Sequence, residues 1–312
     1  MRSKIRFIWK LLRISVSDFL EYKVLRMSAA LAYYTVFSMA PMLIVIISLC
    51  DIFYGRAAIE GTIYRQLNSF VGEAAALQIQ QLIRNATVSN DITWASAIGI
   101  GALIFAATSV FAEIQDSINH IWRLKVKTKK SWLKLLLNRV LSFSMVVSIG
   151  FILLVSLIVS ALLDTLSDRL IKLFPGGALD IAYFINMLLT FATISFLFAV
   201  IFKVLPDAKI RWRDVSVGAI TTAVLFMLGK YGISFYLGKS HISSSYGAAG
   251  SVVIILLWVY YSAIILYFGA AFTRVYAELT GRQIYPSEYA VWVKQVEMVN
   301  TEALPEQLDN SA

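Results

Sequence analysis

The sequence predicts an all-α, multi-pass membrane protein with six transmembrane helices. The 312 residues are 59% hydrophobic and only 15% charged, whereas soluble domains carry about 25% charged residues. The stretch from Gly247 to Thr273 contains no charged residue and exceeds the roughly 20 apolar residues that cross a bilayer. Five further stretches have a similar length and character, one of them interrupted by Lys230.

The first element is a basic amphipathic helix over residues 1–26. Its apolar residues recur at helical spacing at Ile5, Ile8, Trp9, Leu12 and Ser15 or Val16, and its basic side carries Arg2, Lys4, Arg6, Lys10 and Arg13. Such a helix tends to lie along an anionic membrane surface. The alternative is an ordinary helix packed on the bundle, and the sequence leaves both readings open.

Six spans follow, each long enough to cross with all backbone hydrogen bonds internal. They are predicted at about 27–50, 92–114, 140–163, 181–203, 215–237 and 247–273. The transmembrane domain therefore covers 27–276, and a C-terminal tail covers 277–312, with a polar end after about 299 that is expected to be disordered. The longest outer connection, about 52–91, predicts two short amphipathic helices that cap the bundle or lie on the outer surface.

Basic residues are distributed unevenly among the connections. The N-terminal segment, the second and fourth connections and the tail hold 21 of the 28 lysines and arginines, and the other three connections hold six. Cytoplasmic loops carry such an excess. Both termini are therefore predicted in the cytoplasm, and this topology also explains the net charge of +9 without a specific nucleic-acid partner.

The sequence contains few of the residues that soluble enzymes use for catalysis or metal binding. Its only histidines, His120 and His241, fall on opposite sides of the predicted membrane, and Cys50 is the only cysteine. A zinc hydrolase needs several converging ligands, and no catalytic motif is present. The sequence thus predicts no enzyme, no catalytic residue, no cofactor and no metal site, with His120 as a solvated or capping residue.

Lys230 and a polar cluster in the first span are the candidate substrate path. An ammonium inside the hydrocarbon core is costly unless it snorkels or finds a partner, so Lys230, beside Tyr231, either faces a polar cavity that binds an anionic group or reaches the outer headgroups. The first span carries Tyr33, Tyr34 and Ser38, followed by Pro41, which kinks a helix and frees a carbonyl. These side chains contact either a substrate or only neighbouring helices.

The end of the second span is a candidate cytoplasmic gate or a structural clasp. Glu113, Asp116 and Asn119 recur every three residues and share one face of a continuing helix, with Trp122 and Arg123 at the membrane interface. Acidic side chains at this point are expected to pair with basic residues of neighbouring cytoplasmic loops.

An ordered set of short motifs extends from about residue 10 to 285. The set comprises Arg26 with Ala32-Tyr33-Tyr34 and Pro41, Ile118 to Arg123, Leu205-Pro206 with Trp212-Arg213-Asp214 and Gly218, Tyr246-Gly247, Trp258-Val259-Tyr260, and Gly269-Ala270. This set resembles the YihY/virulence factor BrkB family of bacterial inner-membrane proteins. The resemblance implies a multi-pass protein of the cytoplasmic membrane with an envelope role. It implies no catalytic residue, and the ribonuclease BN label once given to some members is regarded as a misassignment.

These observations lead to the hypothesis that the chain transports or translocates an envelope lipid or another anionic amphiphile. The expected partners are membrane lipids, including anionic ones. The alternative is a non-transporting scaffold that recruits envelope proteins, and a ribonuclease is disfavoured. The sequence leaves the substrate, the direction and energy source of transport, and the oligomeric state open.

Overall fold

The computed structural model describes residues 2–38, 76–77, 80, 109–127, 178–239, 250–288 and 290–293. These residues form a mostly helical protein with four short strands. Four helices are α1 (Arg2–Glu21), α4 (Ala178–Val204), α5 (Trp212–Lys239) and α6 (Gly250–Leu279). Two more are described in part, α2 over 24–38 and α3 over 109–121. The strands are β1 (Leu124–Val126), β2 (Ala208–Lys209), β3 (Tyr285–Pro286) and β4 (Ala290–Trp292).

Helices α1 and α3 end in the same way. Lys23 and Arg123 adopt the left-handed conformation, with φ of 53° and 58°, and their amides donate to the carbonyls of Leu20 and His120. A left-handed residue after the last turn stops a helix, and glycine usually provides it. Two basic residues take this place here, so the chain turns sharply at both points.

Among the described residues, three helices are long and apolar enough to cross a membrane. Their apolar parts are Met187–Val204, Trp212–Tyr236 and Val252–Leu279, and they overlap the predicted spans 181–203, 215–237 and 247–273. The predicted spans 27–50 and 92–114 are described only in part, where 27–38 and 109–114 are helical. The span 140–163, most of the outer connection 52–91 and the tail after 293 lie outside the described residues.

Helices α5 and α6 pack closely through two matching glycine–threonine pairs. A Cβ atom at Gly218 would lie 1.8 Å from Thr273 Oγ1, and one at Gly269 would lie 2.0 Å from Thr222 Oγ1. Each threonine hydroxyl donates to the glycine carbonyl four residues earlier in its own helix, at 2.7 Å. The helices therefore meet in antiparallel order without leaving these hydroxyls unpaired, as small residues permit within a membrane.

The four strands form a layer at one end of the helices, and we call it the strand layer. β1 pairs antiparallel with β4, aligning Lys125 with Val291, and β2 pairs antiparallel with β3, aligning Lys209 with Tyr285. Since β1 follows α3, β2 joins α4 to α5, and β3 and β4 follow α6, these helix ends meet at this layer. The sequence prediction contained no strand here and treated 277–312 only as a tail.

Candidate functional site

A cavity of about 780 Å³ lies where the ends of α1 and α3 meet the strand layer. The residues of the described chain that line it are Glu21, Tyr22, Asp116, Asn119, His120, Arg123, Leu124, Lys125, Val126 and Val293. Glu21 and Tyr22 lie at the end of α1, and Val293 follows β4. The other lining residues belong to α3, β1 and the turn between them. The sharp helix ends at Lys23 and Arg123 therefore shape this cavity.

Tyr22 connects the cavity to two arginines. Its buried hydroxyl accepts hydrogen bonds from Arg123 Nε at 2.6 Å and Arg274 Nη1 at 2.7 Å. Both guanidinium groups also lie over its ring, at 5.9 Å and 5.3 Å from the centroid, within cation–π range. The bond to Tyr22 raises the pKa of Arg123, and arginine is charged at neutral pH in any case. The bond therefore holds a cation at the cavity wall.

Arg274, near the end of α6, binds both α1 and α3. Its Nη2 atom lies 2.5 Å from Asp18 Oδ2 in α1, and its Nη1 atom also donates to the carbonyl of Ile121 at the end of α3. Both members of the ion pair are buried. Burial raises the pKa of the Asp18 carboxyl, and the guanidinium groups of Arg274 and Arg123 offset part of that rise. Arg274 therefore fixes α1 against α3 and α6 behind the cavity.

Asn119 ties α3 to the turn before β2. Its Nδ2 atom donates to Asp207 Oδ2 at 2.9 Å, and its Oδ1 atom accepts from the Asp207 amide at 2.9 Å. Gln115 adds a 3.1 Å bond to the same carboxylate, and the Asp207 carbonyl accepts from the Ser287 amide. The amide side chain of Asn119 thus holds the α4–α5 turn, and through it the segment that follows α6.

The cavity presents both signs of charge. Arg123 and Lys125 are exposed cations, Glu21 and Asp116 are exposed carboxylates, and the exposed His120 packs edge-on against Tyr22, with ring centroids 5.5 Å apart. Such a set can bind a phosphate through its cations and an amine through its carboxylates. In the described residues, no group of three His, Cys, Asp or Glu side chains could hold a metal ion.

The five predicted gate residues have different surroundings. Asp116, Asn119 and Arg123 line the cavity. Glu113 accepts a 3.4 Å hydrogen bond from Ser117 in its own helix, and Trp122 is buried with Nε1 donating to the Ala270 carbonyl in α6 at 2.9 Å. Arg123 binds an aromatic hydroxyl here, and Asn119 binds the side chain and amide of a loop aspartate.

The predicted path residues do not line this cavity. Tyr33 and Tyr34 are exposed on α2, and Ser38 is buried and donates to the Thr35 carbonyl. Pro41 lies outside the described residues. Lys230 is half-buried, and its Nζ atom lies 5.9 Å from the ring centroid of the exposed Tyr231.

Lys230 is far from the strand layer. It lies 18 residues after Trp212 in α5, or about 27 Å along the axis at 1.5 Å per residue. It continues the row formed by Ala219, Ala223 and Phe226, of which the two alanines are buried. Helical spacing therefore puts Lys230 on a protein-facing side of α5 and not on the exposed apolar side.

The family-motif residues are mainly structural in the described chain. Asp214 is buried in the first turn of α5 and pairs with Arg282 at 2.6 Å. Gly218 and Gly269 form the close contacts with Thr273 and Thr222 described above. Trp212 packs under Lys203, with Nζ 5.6 Å from the ring centroid, and Trp258 packs edge-on against Phe226. Arg26 is exposed, Pro206 is buried and Tyr260 is half-buried, and Tyr246 and Gly247 lie outside the described residues.

Sequence reasoning missed Asp18, Tyr22, Asp207 and Arg274 as parts of the site. One signal was present for Asp18, which shares a helix face with Leu11 and Ser15, and all three are buried. An acidic residue on an apolar face indicates a buried partner. Nothing in the sequence identified Arg274 as that partner, because the two residues are 256 positions apart.

The long apolar helices and the charged layer at one end define the class as a helical, multi-pass membrane protein. A family model for virulence factor BrkB matches residues 15–289, and the chain belongs to that family. This result confirms the family predicted from the sequence motifs.

The chain is also similar to curated UPF0761 membrane proteins of bacteria. It is 28% identical to one from Vibrio vulnificus, over 80% of this chain and 76% of that protein. It is 30% identical to one from Vibrio parahaemolyticus with the same coverage, and 28% identical to one from Aeromonas salmonicida over 80% of this chain and 82% of that protein. These names state a membrane location and no activity. No solved structure matches.

Proposed function

We propose that the protein is a six-helix protein of the bacterial cytoplasmic membrane, with both termini in the cytoplasm, that moves an envelope lipid or another anionic amphiphile across the bilayer. The observation that carries this proposal is the cavity beside Arg123. It lies among the basic loops that the charge bias assigns to the cytoplasm, and its volume of about 780 Å³ is within the range of small-ligand sites.

The charges of the cavity suit a lipid headgroup. Arg123 is charged and held by Tyr22, and together with Lys125 it can bind a phosphate. Asp116 and Glu21 line the same space and can bind an amine of a headgroup that carries both charges. A headgroup with a phosphate alone would use only the two cations.

Helix α5 supports a path that extends beyond this cavity. Its exposed apolar side chains recur every three or four residues at Ile220, Val224, Leu228, Tyr231 and Phe235. Acyl chains of the substrate would remain in the lipid along this face. Lys230, on a different side of the same helix, would provide a second cationic contact for the headgroup about 27 Å from the strand layer.

The test is transfer of labelled lipid between leaflets of proteoliposomes. Labelled phosphatidylethanolamine and phosphatidylglycerol are compared for the unmodified protein, Arg123→Gln, Lys125→Gln and Lys230→Ala. Lys127→Gln is the matched control because Lys127 is an exposed cation that follows β1 and does not line the cavity. We expect faster transfer than in empty liposomes, several-fold slower transfer in the cavity variants and unchanged transfer in the control.

Each outcome of the assay decides one part of the proposal. Loss of transfer in the Lys230 variant would make that residue part of the path, and retention would restrict the lysine to a structural or snorkelling role. A preference for phosphatidylethanolamine would indicate that the carboxylates bind the amine. Transfer no faster than in empty liposomes with either lipid would contradict a lipid-translocating function.

One observation favours the scaffold alternative. Beside Lys230, Gly229 is in close contact with α6, since a Cβ atom there would overlap the Tyr261 hydroxyl. Close packing at this point leaves little room for a headgroup between α5 and α6. A scaffold would capture the same envelope proteins whether or not the cavity cations are replaced. A crosslinking pull-down from membranes with the unmodified protein, Arg123→Gln or Lys125→Gln therefore distinguishes a scaffold from a lipid translocator.

A further inference from the structure

Helix α1 has three distinct faces. Leu11, Ser15 and Asp18 form a buried face against α6. A second face carries large exposed apolar side chains, which are Ile5, Ile8, Trp9, Leu12, Val16 and Leu20. A third face carries the exposed Arg6, Lys10, Arg13 and Ser17. We call the second face the apolar stripe of α1 and the third its basic stripe.

The buried face fixes the level of α1 relative to the membrane helices. Leu11 packs with Phe272 and Val275, and Phe7 packs edge-on against Tyr276 with ring centroids 6.5 Å apart. These α6 residues belong to the last turns of the apolar part Val252–Leu279. Helix α1 therefore lies beside the point where α6 reaches the membrane edge.

The apolar stripe is too large and continuous for an ordinary water-facing helix surface. Its six side chains are between 39% and 70% exposed, and Trp9 is the most exposed of them. Contiguous exposed apolar surface marks an interaction site. The adjacent basic stripe indicates an anionic occupant, since basic residues beside an apolar face are typical of helices in the interface of anionic bilayers.

We propose that the apolar stripe of α1 is embedded in the headgroup–acyl boundary of a lipid leaflet, and that Arg6, Lys10 and Arg13 bind its anionic headgroups. The occupant is the bilayer surface itself. This inference does not depend on lipid transport, because a scaffold would need the same seating. It also combines the two interpretations of the sequence, because one face of α1 would pack on the bundle and another would contact the lipid.

The seating has a consequence for the cavity. Asp18 lies on the buried side of α1, and Tyr22 lies in the turn that follows α1. Both bind Arg274, and Tyr22 also binds Arg123 at the cavity wall. Glu21, at the end of α1, also lines the cavity. A leaflet that holds α1 in place would therefore also hold one wall of the cavity.

The test uses spin labels on the 312-residue protein with Cys50→Ser, reconstituted in liposomes. Leu12→Cys reports on the apolar stripe, and Ser17→Cys is its matched control on the basic stripe, since both positions are exposed. Collision of the label with oxygen, which concentrates in the bilayer, is compared with collision with a water-soluble nickel chelate. We expect a several-fold higher oxygen-to-nickel ratio at position 12 than at position 17.

A second experiment varies the charge of the lipid. In liposomes with phosphatidylglycerol, replacing Arg6, Lys10 and Arg13 by glutamine is expected to lower the ratio at position 12, while Lys127→Gln leaves it unchanged. A nickel-accessible label at position 12 would show that water covers the stripe, and protection from both reagents would show that protein covers it. Either result overturns the proposal, and an equal ratio with and without phosphatidylglycerol overturns its anionic part. Monodisperse elution of each variant confirms folding.

Discussion

Two faces at the same end of α6 are held by different forces. Near its end, Arg274 and the carbonyl of Ala270 bind α1 and α3 through charged and polar hydrogen bonds. On the neighbouring face at the same level of the helix, Gly269 and Thr273 hold α5 by close steric fit, and the threonine hydroxyls of this contact bond within their own helices. The polar contacts join elements far apart in sequence, while the steric contacts join neighbouring helices.

This difference follows from what each face contacts, because α5 lies alongside α6, whereas α1 and α3 meet α6 near their ends. Between membrane helices the lipid is as apolar as the side chains, so association depends on packing. At the strand layer, helix ends leave carbonyls and amides that need partners, and polar side chains supply them. Disrupting each kind of contact should therefore have a different size of effect.

The largest effect is expected for Arg274→Met. The substitution leaves Asp18 buried without its cation, and breaking a buried ion pair by removing one partner costs about 3–5 kcal/mol. Thermal unfolding of the detergent-solubilised protein, followed by fluorescence-detected size exclusion, should show a large loss of stability. Glu278→Gln is the control, because the Glu278 side chain is half exposed and its contact with Arg274 Nε is longer, at 3.5 Å. Its loss should therefore cost little stability.

The same contact can be tested by removing both charges. Asp18→Asn combined with Arg274→Met should unfold at a higher temperature than Arg274→Met alone, because no unpaired buried charge remains. Equal loss in the single and double variants would show that Arg274 acts through its bonds to Tyr22 and Ile121 and not through Asp18.

A smaller effect is expected for Asn119→Leu. It removes a donor from the Asp207 carboxylate and an acceptor from the Asp207 amide, and an unsatisfied buried polar group costs about 1–3 kcal/mol. Gln115→Leu removes one bond to the same carboxylate and should cost less. Thermal unfolding measures both, and an equal or larger loss for Gln115→Leu would contradict the central role of Asn119.

Sequence patterns predicted the helices because hydrophobicity and length act locally. The apolar stretches gave three helices close to their observed positions, and the motif order gave the family. The strand layer was missed because β2 and β3 have two residues each and β1 and β4 have three, too short for a recognisable alternation. Their pairing depends on where the helix ends meet in space.

The candidate site was only partly predictable for the same reason. The three-residue spacing predicted a shared helix face for Glu113, Asp116 and Asn119, of which Asp116 and Asn119 line the cavity and Glu113 does not. Arg123, expected at the membrane interface, lines it as well. The opposite wall comes from Glu21 and Tyr22, about 100 positions earlier in the chain. The left-handed turns at Lys23 and Arg123 had no sequence signal, since glycine is the usual residue there.

The smallest effect is expected for Gly218→Ala, in the steric part of the comparison. The new methyl would overlap Thr273, at 1.8 Å from Oγ1, and overpacking typically costs about 1–3 kcal/mol. The higher helix propensity of alanine offsets about 1 kcal/mol of this. Gly232→Ala is the matched control because nothing lies within 4 Å of a Cβ atom there, so it should be neutral or stabilising.

Thermal unfolding of four variants decides whether steric fit is the cause. Gly218→Ala should unfold below the unmodified protein, and Gly232→Ala at or above it. Adding Thr273→Ala to Gly218→Ala removes the atoms that overlap, so it should recover part of the loss, while Thr273→Ala alone opens a small gap and lowers stability slightly. If Gly218→Ala and Gly232→Ala unfold at the same temperature, the stability of the α5–α6 contact does not depend on close approach at Gly218. The effect of each substitution would then be that of helix propensity alone.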